Sequence, residues 1–414
     1  MRHNIYYFLT VVIGTLLVVD LYAYKGIRLT VPQSYRSLFK YLYWAYSIFV
    51  YLGLILIFSS APSESLKTRG YAFFYTVIGM AILSLVPKII FIVFHLIEDL
   101  GFLSYKGVKT IQGGAEKITR FTFLTKLGLF IAAIPFFSII YGIIWGKYNY
   151  KVKKNKLAFK NLPKGFDGLT VVQFSDAHLG SFDGDTEKVK HAFEMINDLQ
   201  ADLIFFTGDL VNNFASEAKG WDELFTSLNA KIGKFSILGN HDYSDYMHWD
   251  SEIEKKQNLD DLKAFHAKTG FQLLLNQNIE IMKGLDSIRI IGVENWGKGG
   301  FAKYGDLEKA LEGTNPKEFQ LLLSHDPSHW DEKVLKESNI DLTFAGHTHG
   351  MQFGINLGRL KYSPVQHRYP RWMGLYKEQD QYLHVNPGFG FLGFPGRVGI
   401  TPEISYFEFA VKSV

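Results

Sequence analysis

The 414-residue chain contains no cysteine. This absence excludes disulfides, thiolate-bound zinc and cysteine nucleophiles. It fits a reducing compartment. Any metal site in this chain must therefore be built from histidine, aspartate, glutamate and asparagine side chains.

A large excess of charge is also lacking, because 44 basic and 40 acidic residues leave a formal net charge of +4. So small and dispersed an excess argues against nucleic acid as a partner. The sequence shows no internal repeat, no long disordered segment and no signal for a protein partner. Apolar residues are plentiful, above all in the first 146 residues, while the remainder is mixed in composition. The length and this contrast predict two units.

Four apolar segments occupy the first third of the chain. They run roughly from Ile5 to Tyr24, from Phe39 to Phe58, from Tyr71 to Leu96 and from Phe123 to Trp145. Each comes close to or exceeds the ~20 residues that a helix needs to cross a bilayer. A cleaved signal peptide would explain only the first segment, and no small-residue cleavage site follows it. We therefore predict a region of four transmembrane helices over residues 1–146.

Polar residues inside these segments are few. Asp20 and His95 lie near predicted span ends, and Lys88 follows Pro87 in the third segment. Lys88 either extends its side chain toward the interface or marks a shortened span. So sparse a set does not indicate an ion pathway.

Membrane orientation rests on basic residues, which nearly balance under the positive-inside rule. One side carries Arg2, Lys67, Arg69, Lys147, Lys151, Lys153, Lys154 and Lys156. The other carries Lys25, Arg28, Arg36, Lys40, Lys106, Lys109, Lys117 and Arg120. The dense stretch KYNYKVKKNK after the last span favours a multi-pass protein of the cell (inner) membrane with a cytoplasmic C-terminal domain. We treat residues 147–168 as a basic linker, which either only sets topology or also contacts anionic lipid.

Beyond Leu169, five short apolar runs each end in side chains that can bind metal. With their endings they read LTVVQFSDAHLG, DLIFFTGDLVNN, KFSILGNHDY, FQLLLSHDPSHW and DLTFAGHTHG. Helix candidates from Glu187 to Leu199 and from Glu217 to Leu228 separate the first three runs, as in an α/β domain. In open α/β sheets the C-terminal ends of the strands face one common crevice. We therefore expect the side chains that follow the runs to meet there.

The candidate donors mix oxygen and nitrogen. They are Asp176, His178, Asp209, Asn240, His325, His347 and His349. Such a set suits Mn, Fe, Zn or Co better than Ca or Mg. It is too large for one tetrahedral zinc but sufficient for two ions about 3.5–4 Å apart, which can hold a hydroxide between them and clamp a phosphoryl centre. We predict two divalent ions, with manganese as the first choice and iron, zinc or cobalt as alternatives.

Taken in order, DAH, GDLVNN, GNHD, the histidine of LSHD and GHTH resemble the signature of the calcineurin-like metallophosphoesterases. The resemblance covers about Leu169 to Phe409. It implies a four-layer α-β-β-α sandwich, and we assign residues 169–414 to such a domain. It also implies that one ion is held by Asp176, His178 and His349, and the other by Asn240, His325 and His347, with Asp209 bridging.

The same resemblance implies a catalytic role for His241. This histidine would face the phosphate and stabilise or protonate the leaving oxygen, with Asp242 orienting its ring. Attack by the metal-bridging hydroxide would leave no covalent intermediate. The chain departs from the family pattern at Asn212, where aspartate is usual, and we expect this change to tune metal affinity. Six histidines of residues 169–414 lie outside the motifs and are expected at the surface or beside the site, His329 being the strongest exception: His191, His248, His266, His329, His367 and His384.

Substrate contacts are sought in the C-terminal stretch NPGFGFLGFPGRVGITPEI. Arg397 is a candidate phosphate-binding residue, together with Asn240. Phe389, Phe391 and Phe394 either form an exposed lip for an acylated substrate or pack into the sandwich core. Arg368 and Arg371 are either a second anionic clamp or solvated side chains.

The leading hypothesis is a membrane-anchored phosphoesterase that hydrolyses a phosphodiester or pyrophosphate bond of a lipid-linked substrate. It resembles the UDP-2,3-diacylglucosamine diphosphatases and related bacterial phosphodiesterases of broad range. One alternative is the same machinery acting on soluble phosphodiesters, with the membrane part as an anchor only. Another is a membrane scaffold or sensor without turnover, which the intact donor set disfavours.

Overall fold

The computed structural model describes residues 2–59, 71–112, 122–358 and 360–412, and side chains from residue 7 onward. Two compact units divide the chain, Met1–Ile144 and Trp145–Val414. We call them the helical unit and the α/β unit.

Within the described residues, the helical unit contains four long helices. They are α1 (Arg2–Thr30), α2 (Arg36–Ser59), α3 (Tyr71–Ile111) and α4 (Phe123–Ile144). Four described segments are long and apolar enough to cross a membrane: Tyr7–Thr30, Gln33–Ser59, Tyr71–Ile111 and Phe123–Ile144. The prediction of four helical spans is therefore confirmed, while the third helix extends well beyond the predicted end at Leu96. Lys67, Arg69, Lys117 and Arg120, which entered the orientation argument, lie outside the described residues.

Glycines allow the helices to approach closely. A Cβ atom built on Gly26 would lie 2.7 Å from the Phe91 ring, and one built on Gly53 would lie 2.7 Å from Val77. In membranes, where hydrophobic burial does not drive helix association, such small residues permit the tight packing that does. Pro87 lies inside α3 without ending it, a position that membrane helices tolerate.

The α/β unit contains two six-stranded sheets, in the orders β1-β14-β2-β3-β4-β5 and β12-β13-β9-β8-β7-β6. The first sheet comprises β1 (Lys151–Phe159), β2 (Thr170–Phe174), β3 (Leu203–Phe206), β4 (Gly233–Ser236), β5 (Phe271–Leu273) and β14 (Glu403–Val411). The second comprises β6 (Gln277–Lys283), β7 (Asp286–Gly292), β8 (Gln320–Leu323), β9 (Leu342–Ala345), β12 (Gly374–Glu378) and β13 (Gln381–Val385). A separate hairpin pairs β10 (Ile355–Leu357) with β11 (Leu360–Tyr362).

The sheets pack face to face, and helices cover their outer surfaces. One core cluster joins Phe205 of the first sheet to Leu321 and Phe344 of the second. The helices of this unit are α5 (Glu187–Asp198), α6 (Asp222–Ser227), α7 (Glu252–Lys268), α8 (Leu307–Ala310) and the short α9 (Leu335–Glu337), which follows a π-helical turn, Trp330–Val334. Strands buried on both faces read as continuous apolar runs, as in LIFF of β3. The predicted four-layer α-β-β-α sandwich is confirmed.

Residues 147–168 are not the basic linker that the sequence predicted. Lys151–Phe159 forms β1, which pairs in parallel with β14 from Lys151↔Glu403 to Phe159↔Val411. Leu157 and Phe159 are buried in the core between the sheets, whereas Lys151, Lys154 and Lys156 are exposed. Lysines on an edge strand discourage pairing with other chains. The basic stretch is therefore an edge strand of the sandwich.

Candidate metal centre

The candidate donors follow the C-terminal ends of five strands, and most have a strained backbone. Asp176, His178, Asp209, His347 and His349 have φ values of 54°, 46°, 56°, 71° and 50°. This left-handed conformation costs L-residues roughly 1–2 kcal/mol each. Such strain persists where the surrounding structure enforces it, and it concentrates at functional sites. The turns after these strands therefore hold side chains in positions that relaxed backbone would not reach.

One cluster consists of Asp176, His178 and His349. The Nε2 atoms of His178 and His349 lie 3.0 Å apart, and His349 Nε2 lies 3.2 Å from Asp176 Oδ1. All three side chains are buried. Each offers a donor atom within 4.8 Å of the others.

A second cluster consists of Asp209, His325 and His347, with Asn240 between them. His325 Nε2 lies 3.1 Å from Asp209 Oδ2 and 3.2 Å from Asn240 Oδ1. The same Asn240 oxygen lies 2.8 Å from His347 Nδ1. The amide oxygen thus faces the same point as the two imidazoles.

Asp209 connects the two clusters. Its Oδ2 atom, 3.1 Å from His325 Nε2, is also 3.6 Å from His178 Nε2. Its Oδ1 atom accepts the backbone N–H of His241 at 2.9 Å. One carboxylate oxygen therefore faces a nitrogen donor of each cluster.

Both clusters offer donor atoms to divalent cations. His178 Nε2 faces His349 Nε2, while His178 Nδ1 is buried without a hydrogen-bond partner. Although burial opposes ionisation of the carboxylates, neighbouring histidines hold the pKa of Asp176 and of Asp209 below the usual range. Burial and the nearby His349 hold the pKa of His178 well below 6.5. In the second cluster, by contrast, the Asp209 carboxylate outweighs burial and raises the pKa of His325 to about 10, so a metal ion bound there would displace a proton. Ionised carboxylates and imidazole nitrogens freed of their protons are the donors that divalent transition metals require.

His241 lies at the border of both clusters but is not oriented by Asp242. Its Nδ1 atom donates to the backbone carbonyl of Asn212 at 2.8 Å, and its ring centre is 5.1 Å from that of His178. Asp242 instead accepts backbone N–H groups of Gly239 and Asp209, at 2.8 and 2.9 Å. Burial and the charge of Asp209 raise the pKa of Asp242 to about 7. The predicted role of Asp242 in orienting the His241 ring is therefore wrong; this carboxyl group organises the loop after β3.

The loop after β3, which contacts the His241 ring, is held by Glu217, a residue outside the sequence motifs. The Glu217 carboxylate accepts the N–H groups of Asn212, Asn213 and Phe214 at 2.6, 3.0 and 2.9 Å. The side-chain oxygen of Asn212 accepts a hydrogen bond from Ser181 at 3.2 Å. Asn212 therefore acts on the site through its backbone carbonyl, which no motif reveals.

Arg397 does not reach a position for binding phosphate. It is buried, at 2% exposure, and its guanidinium donates to the carbonyls of Pro387 and Gly390. Its Nη2 atom also lies 3.5 Å from His349 Nδ1. Arg397 therefore holds the 387–397 loop against His349, and its predicted role as a substrate ligand is wrong.

The other candidate side chains belong to neither donor cluster. Phe389, Phe391 and Phe394 are buried, so the alternative of core packing holds and the aromatic lip is absent from the described structure. Arg371 pairs with Asp331 and Glu378. The six histidines outside the motifs join neither cluster, and His329 contacts Ser324 Oγ at 2.8 Å.

Two tyrosines that the sequence did not indicate touch the donors. The Tyr369 hydroxyl lies 2.8 Å from His347 Nε2, and the Tyr246 hydroxyl accepts from Asn240 Nδ2 at 2.9 Å. Both follow the motifs at distances that carry no signature. These contacts fix which atoms of His347 and Asn240 face the other donors of the second cluster.

Comparison with known proteins agrees with this geometry. A family model described as calcineurin-like phosphoesterase matches residues 169–351. A second, described as probable calcineurin-like phosphoesterase, transmembrane domain, matches residues 1–147.

Three relatives illustrate the range of similarity. The chain is 28% identical over 285 residues to a transmembrane protein with metallophosphoesterase domain of Danio rerio, covering 68% of this chain but only 61% of that protein. It is 29% identical over 277 residues to the UDP-2,3-diacylglucosamine pyrophosphatase LpxG of Chlamydia trachomatis, covering 56% and 81%. It is 31% identical over 253 residues to the metallophosphoesterase YkuE of Bacillus subtilis, covering 59% and 80%. Fold, donor clusters and relatives agree, and the chain belongs to the calcineurin-like phosphoesterase family.

Proposed function

We propose that this protein is a membrane-anchored, dinuclear metal-dependent phosphoesterase that hydrolyses a phosphodiester or pyrophosphate bond of a lipid-linked substrate. The observation that carries the proposal is the pair of donor clusters that meet at Asp209. His241, which belongs to neither cluster, lies beside both.

In this proposal Asp176, His178 and His349 hold one divalent ion. Asn240, His325 and His347 hold the other, and Asp209 contributes to both. The mixed oxygen and nitrogen donors favour Mn, Fe, Zn or Co. The chemistry that such ions supply when bound is a water of lowered pKa and polarisation of the phosphoryl oxygens.

His241 then acts as the proton donor to the leaving oxygen. A carbonyl oxygen can only accept, so the contact with Asn212 fixes the proton of His241 on Nδ1. In the cationic ring Nε2 carries the second proton, which is free to move to the departing oxygen. General acid catalysis of this kind contributes about 10²–10⁴-fold.

The lipid-linked substrate is supported by two observations. Four helices of this chain are long and apolar enough to cross a membrane, which confines the α/β unit to the bilayer surface and raises the local concentration of lipid-borne phosphoesters. In addition, one relative is described as a pyrophosphatase of UDP-2,3-diacylglucosamine. Lysines 147, 151, 153, 154 and 156 directly follow α4, so we place the α/β unit on the cytoplasmic side of the cell membrane.

Hydrolysis of bis-p-nitrophenyl phosphate by the detergent-purified full chain with added Mn²⁺ tests the reaction class. We expect manganese-dependent turnover that is lost in Asp209→Asn and reduced about 10²–10⁴-fold in His241→Ala. His191→Ala serves as the control, because its side chain is 76% exposed. Two bound metals without turnover of any phosphoester would instead favour the scaffold alternative.

The substrate class is tested separately with matched lipid-linked and soluble pyrophosphates. We expect a higher kcat/KM for the lipid-linked compound in mixed micelles. Equal values would favour the alternative in which the helices are an anchor only.

A further inference from the structure

The β10–β11 hairpin presents an apolar surface to solvent. Ile355 pairs with Tyr362, and Leu357 pairs with Leu360. Directly opposed residues share a face of an antiparallel ribbon, as do residues two apart on one strand. These four side chains therefore lie on one face, with exposures of 47%, 43%, 73% and 59% respectively. We call them the apolar hairpin face.

This arrangement differs from the other exposed apolar residues of the described α/β unit. Ile253, Met282 and Leu285, for example, are highly exposed but belong to separate elements. Single exposed apolar side chains are normal, whereas a contiguous apolar patch marks an interaction surface. A two-stranded hairpin is also only marginally stable by itself. The hairpin therefore has an apolar face that gains stability when something covers it.

The opposite face of the ribbon is polar and positively charged at its base. It carries Asn356 and Lys361, which pair with each other. A Cβ atom built on Gly374 would lie 3.2 Å from the Lys361 ammonium and 3.4 Å from that of Lys153. Two cations thus face one point beside the hairpin, where they can bind the phosphate groups of anionic lipid.

Covalent connectivity keeps this hairpin within reach of a bilayer. Lys153 lies nine residues after Ile144, the last residue of α4, and nine residues span at most about 32 Å. Helix α4 is one of the four segments able to cross the membrane. The base of the hairpin is therefore tethered to a membrane helix by a short stretch of chain.

The hairpin is also attached to the candidate metal centre. Ser363, directly after β11, donates to the Gly350 carbonyl at 2.8 Å, and Gly350 follows His349. At the other end, the Gly354 N–H donates to the Val398 carbonyl at 2.9 Å. Whatever fixes the hairpin in space therefore also fixes the loop that carries His349.

We infer that the apolar hairpin face inserts into the lipid leaflet nearest the α/β unit, while Lys153 and Lys361 contact anionic headgroups. The hairpin then holds the donor clusters at the lipid–water interface. Insertion itself is independent of catalysis. The further step, that the hairpin favours a phosphoester carried by a lipid, rests on the proposed function.

The absence of cysteine makes a direct test possible with the full chain. Leu357→Cys is labelled with the environment-sensitive dye NBD and reconstituted into nanodiscs containing anionic lipid and doxyl-labelled lipid. Leu285→Cys is the matched control, because Leu285 is fully exposed at the β6–β7 turn.

We expect blue-shifted emission and quenching by the doxyl lipid at position 357, and neither at position 285. Equal quenching at both positions would overturn the inference. So would a blue shift at position 357 that needs high protein density and occurs without doxyl quenching, since it would indicate a second copy of the chain as the occupant.

A kinetic test separates this inference from the proposed function. In Leu357→Ser/Leu360→Ser we expect kcat/KM to fall about tenfold for a lipid-borne phosphoester, through lost interfacial contact, and to stay unchanged for bis-p-nitrophenyl phosphate. A parallel loss on both substrates would assign the hairpin a structural role and overturn the inference. If the wild-type protein hydrolysed neither substrate, the proposed function would fail while the quenching result still decided insertion.

Discussion

The helical unit and the α/β unit both bury charged side chains, but these side chains have different neighbours. In the helical unit, Asp20 is 4% exposed and accepts from the Lys88 ammonium at 2.5 Å. The Tyr51 hydroxyl also donates to the Asp20 carboxylate, the Tyr43 hydroxyl donates to the Asp20 backbone carbonyl at 2.8 Å, and Lys88 reaches Ser84. In the α/β unit the buried groups at the site are carboxylates, an amide oxygen and imidazoles that face one another.

The two units differ in the source of the charge that balances their buried ionised side chains. A buried ion pair is stable when opposite charges and hydrogen bonds satisfy each other within the protein, as around Asp20. Among the described residues, Arg397 is the one buried arginine that contacts a donor cluster. Its hydrogen bonds go to backbone carbonyls. The charge of Asp20 is therefore balanced within the helical unit, whereas the donor clusters of the α/β unit offer sites for cations from outside the chain.

Removing the metal should affect the two units unequally and produce the largest effect. Chelation is expected to abolish hydrolysis, and the free energy of unfolding of the α/β unit should fall by about 3–4 kcal/mol if the ions had been present at 100 to 1,000 times their Kd. Fluorescence of the buried Trp221 and Trp330 reports on this unit. Asp209→Asn is the control, because chelation should no longer change its stability. An equal chelation effect in that variant would contradict the assignment.

Breaking the internal pair should test the helical unit. Asp20→Asn leaves the Lys88 charge buried without its partner and is expected to destabilise the protein by about 3–5 kcal/mol. The double variant Asp20→Asn/Lys88→Met should recover most of this loss in detergent unfolding experiments. Lys25→Met is the comparison, because Lys25 pairs with Asp99 at 3.1 Å but is 57% exposed. Tyr22 also donates to Asp99, so a smaller loss than for Asp20→Asn is expected. A similar loss in both single variants would refute the special status of Asp20.

A buried histidine outside the clusters should make the α/β unit sensitive to acid. Burial lowers the pKa of His266 from 6.5 to about 4, and its Nδ1 atom contacts Ser236 Oγ at 3.1 Å. Because the folded-state pKa lies below the unfolded value, the stability is complete above pH 6.5 and is lost as the pH falls toward 4, by about 3 kcal/mol.

Urea unfolding between pH 7 and pH 4 checks this expectation. His266→Gln should remove its share of the pH dependence, while His191→Gln at the surface should leave the profile as in the wild type. Some dependence should remain, because burial also lowers the pKa of His329 to about 4 and of His384 to about 3. Identical profiles for His266→Gln and the wild-type protein would show that His266 does not contribute.

The smallest effect should come from backbone strain at the site. At His178, with φ of 46°, glycine is expected to give a metal-free protein about 1 kcal/mol more stable than alanine does, because only glycine adopts this conformation without a Cβ penalty. Both variants lose the imidazole, so thermal unfolding in chelator isolates the backbone contribution. If alanine were equally stable, the strain would be absent.

Much of the fold follows from local patterns. Long apolar runs predict the four membrane helices, and short apolar runs separated by helix candidates predict the strands of an α/β domain. The error at β1 has a physical reason, because its partner β14 lies some 250 residues later and the lysines of an edge strand resemble those of a linker. The end of α3 was also missed, since its last turns carry a mixed pattern after Leu96 that hydropathy alone does not assign to a helix.

The candidate metal centre also has features that the sequence predicts and features that it does not. The donors were predictable because each follows an apolar run that becomes a strand. Tyr369 and the Asn212 carbonyl were not, since one comes from a distant loop and the other is backbone. Asp242 was misassigned because it follows His241 directly in the sequence. The two side chains have separate partners: His241 contacts the Asn212 carbonyl, whereas Asp242 accepts the N–H groups of Gly239 and Asp209. Arg397 was misassigned because the sequence does not show that carbonyl groups of its own loop surround it.

The position of β14 between β1 and β2 also constrains biosynthesis. β1 emerges from the ribosome soon after the last membrane helix, but its neighbour β14 is synthesised about 250 residues later. At about 5–20 residues per second, β1 and β2 remain without their shared neighbour for on the order of tens of seconds. During this time each strand has an unpaired edge. The exposed lysines of β1 would keep such an edge from pairing with other nascent chains during this interval.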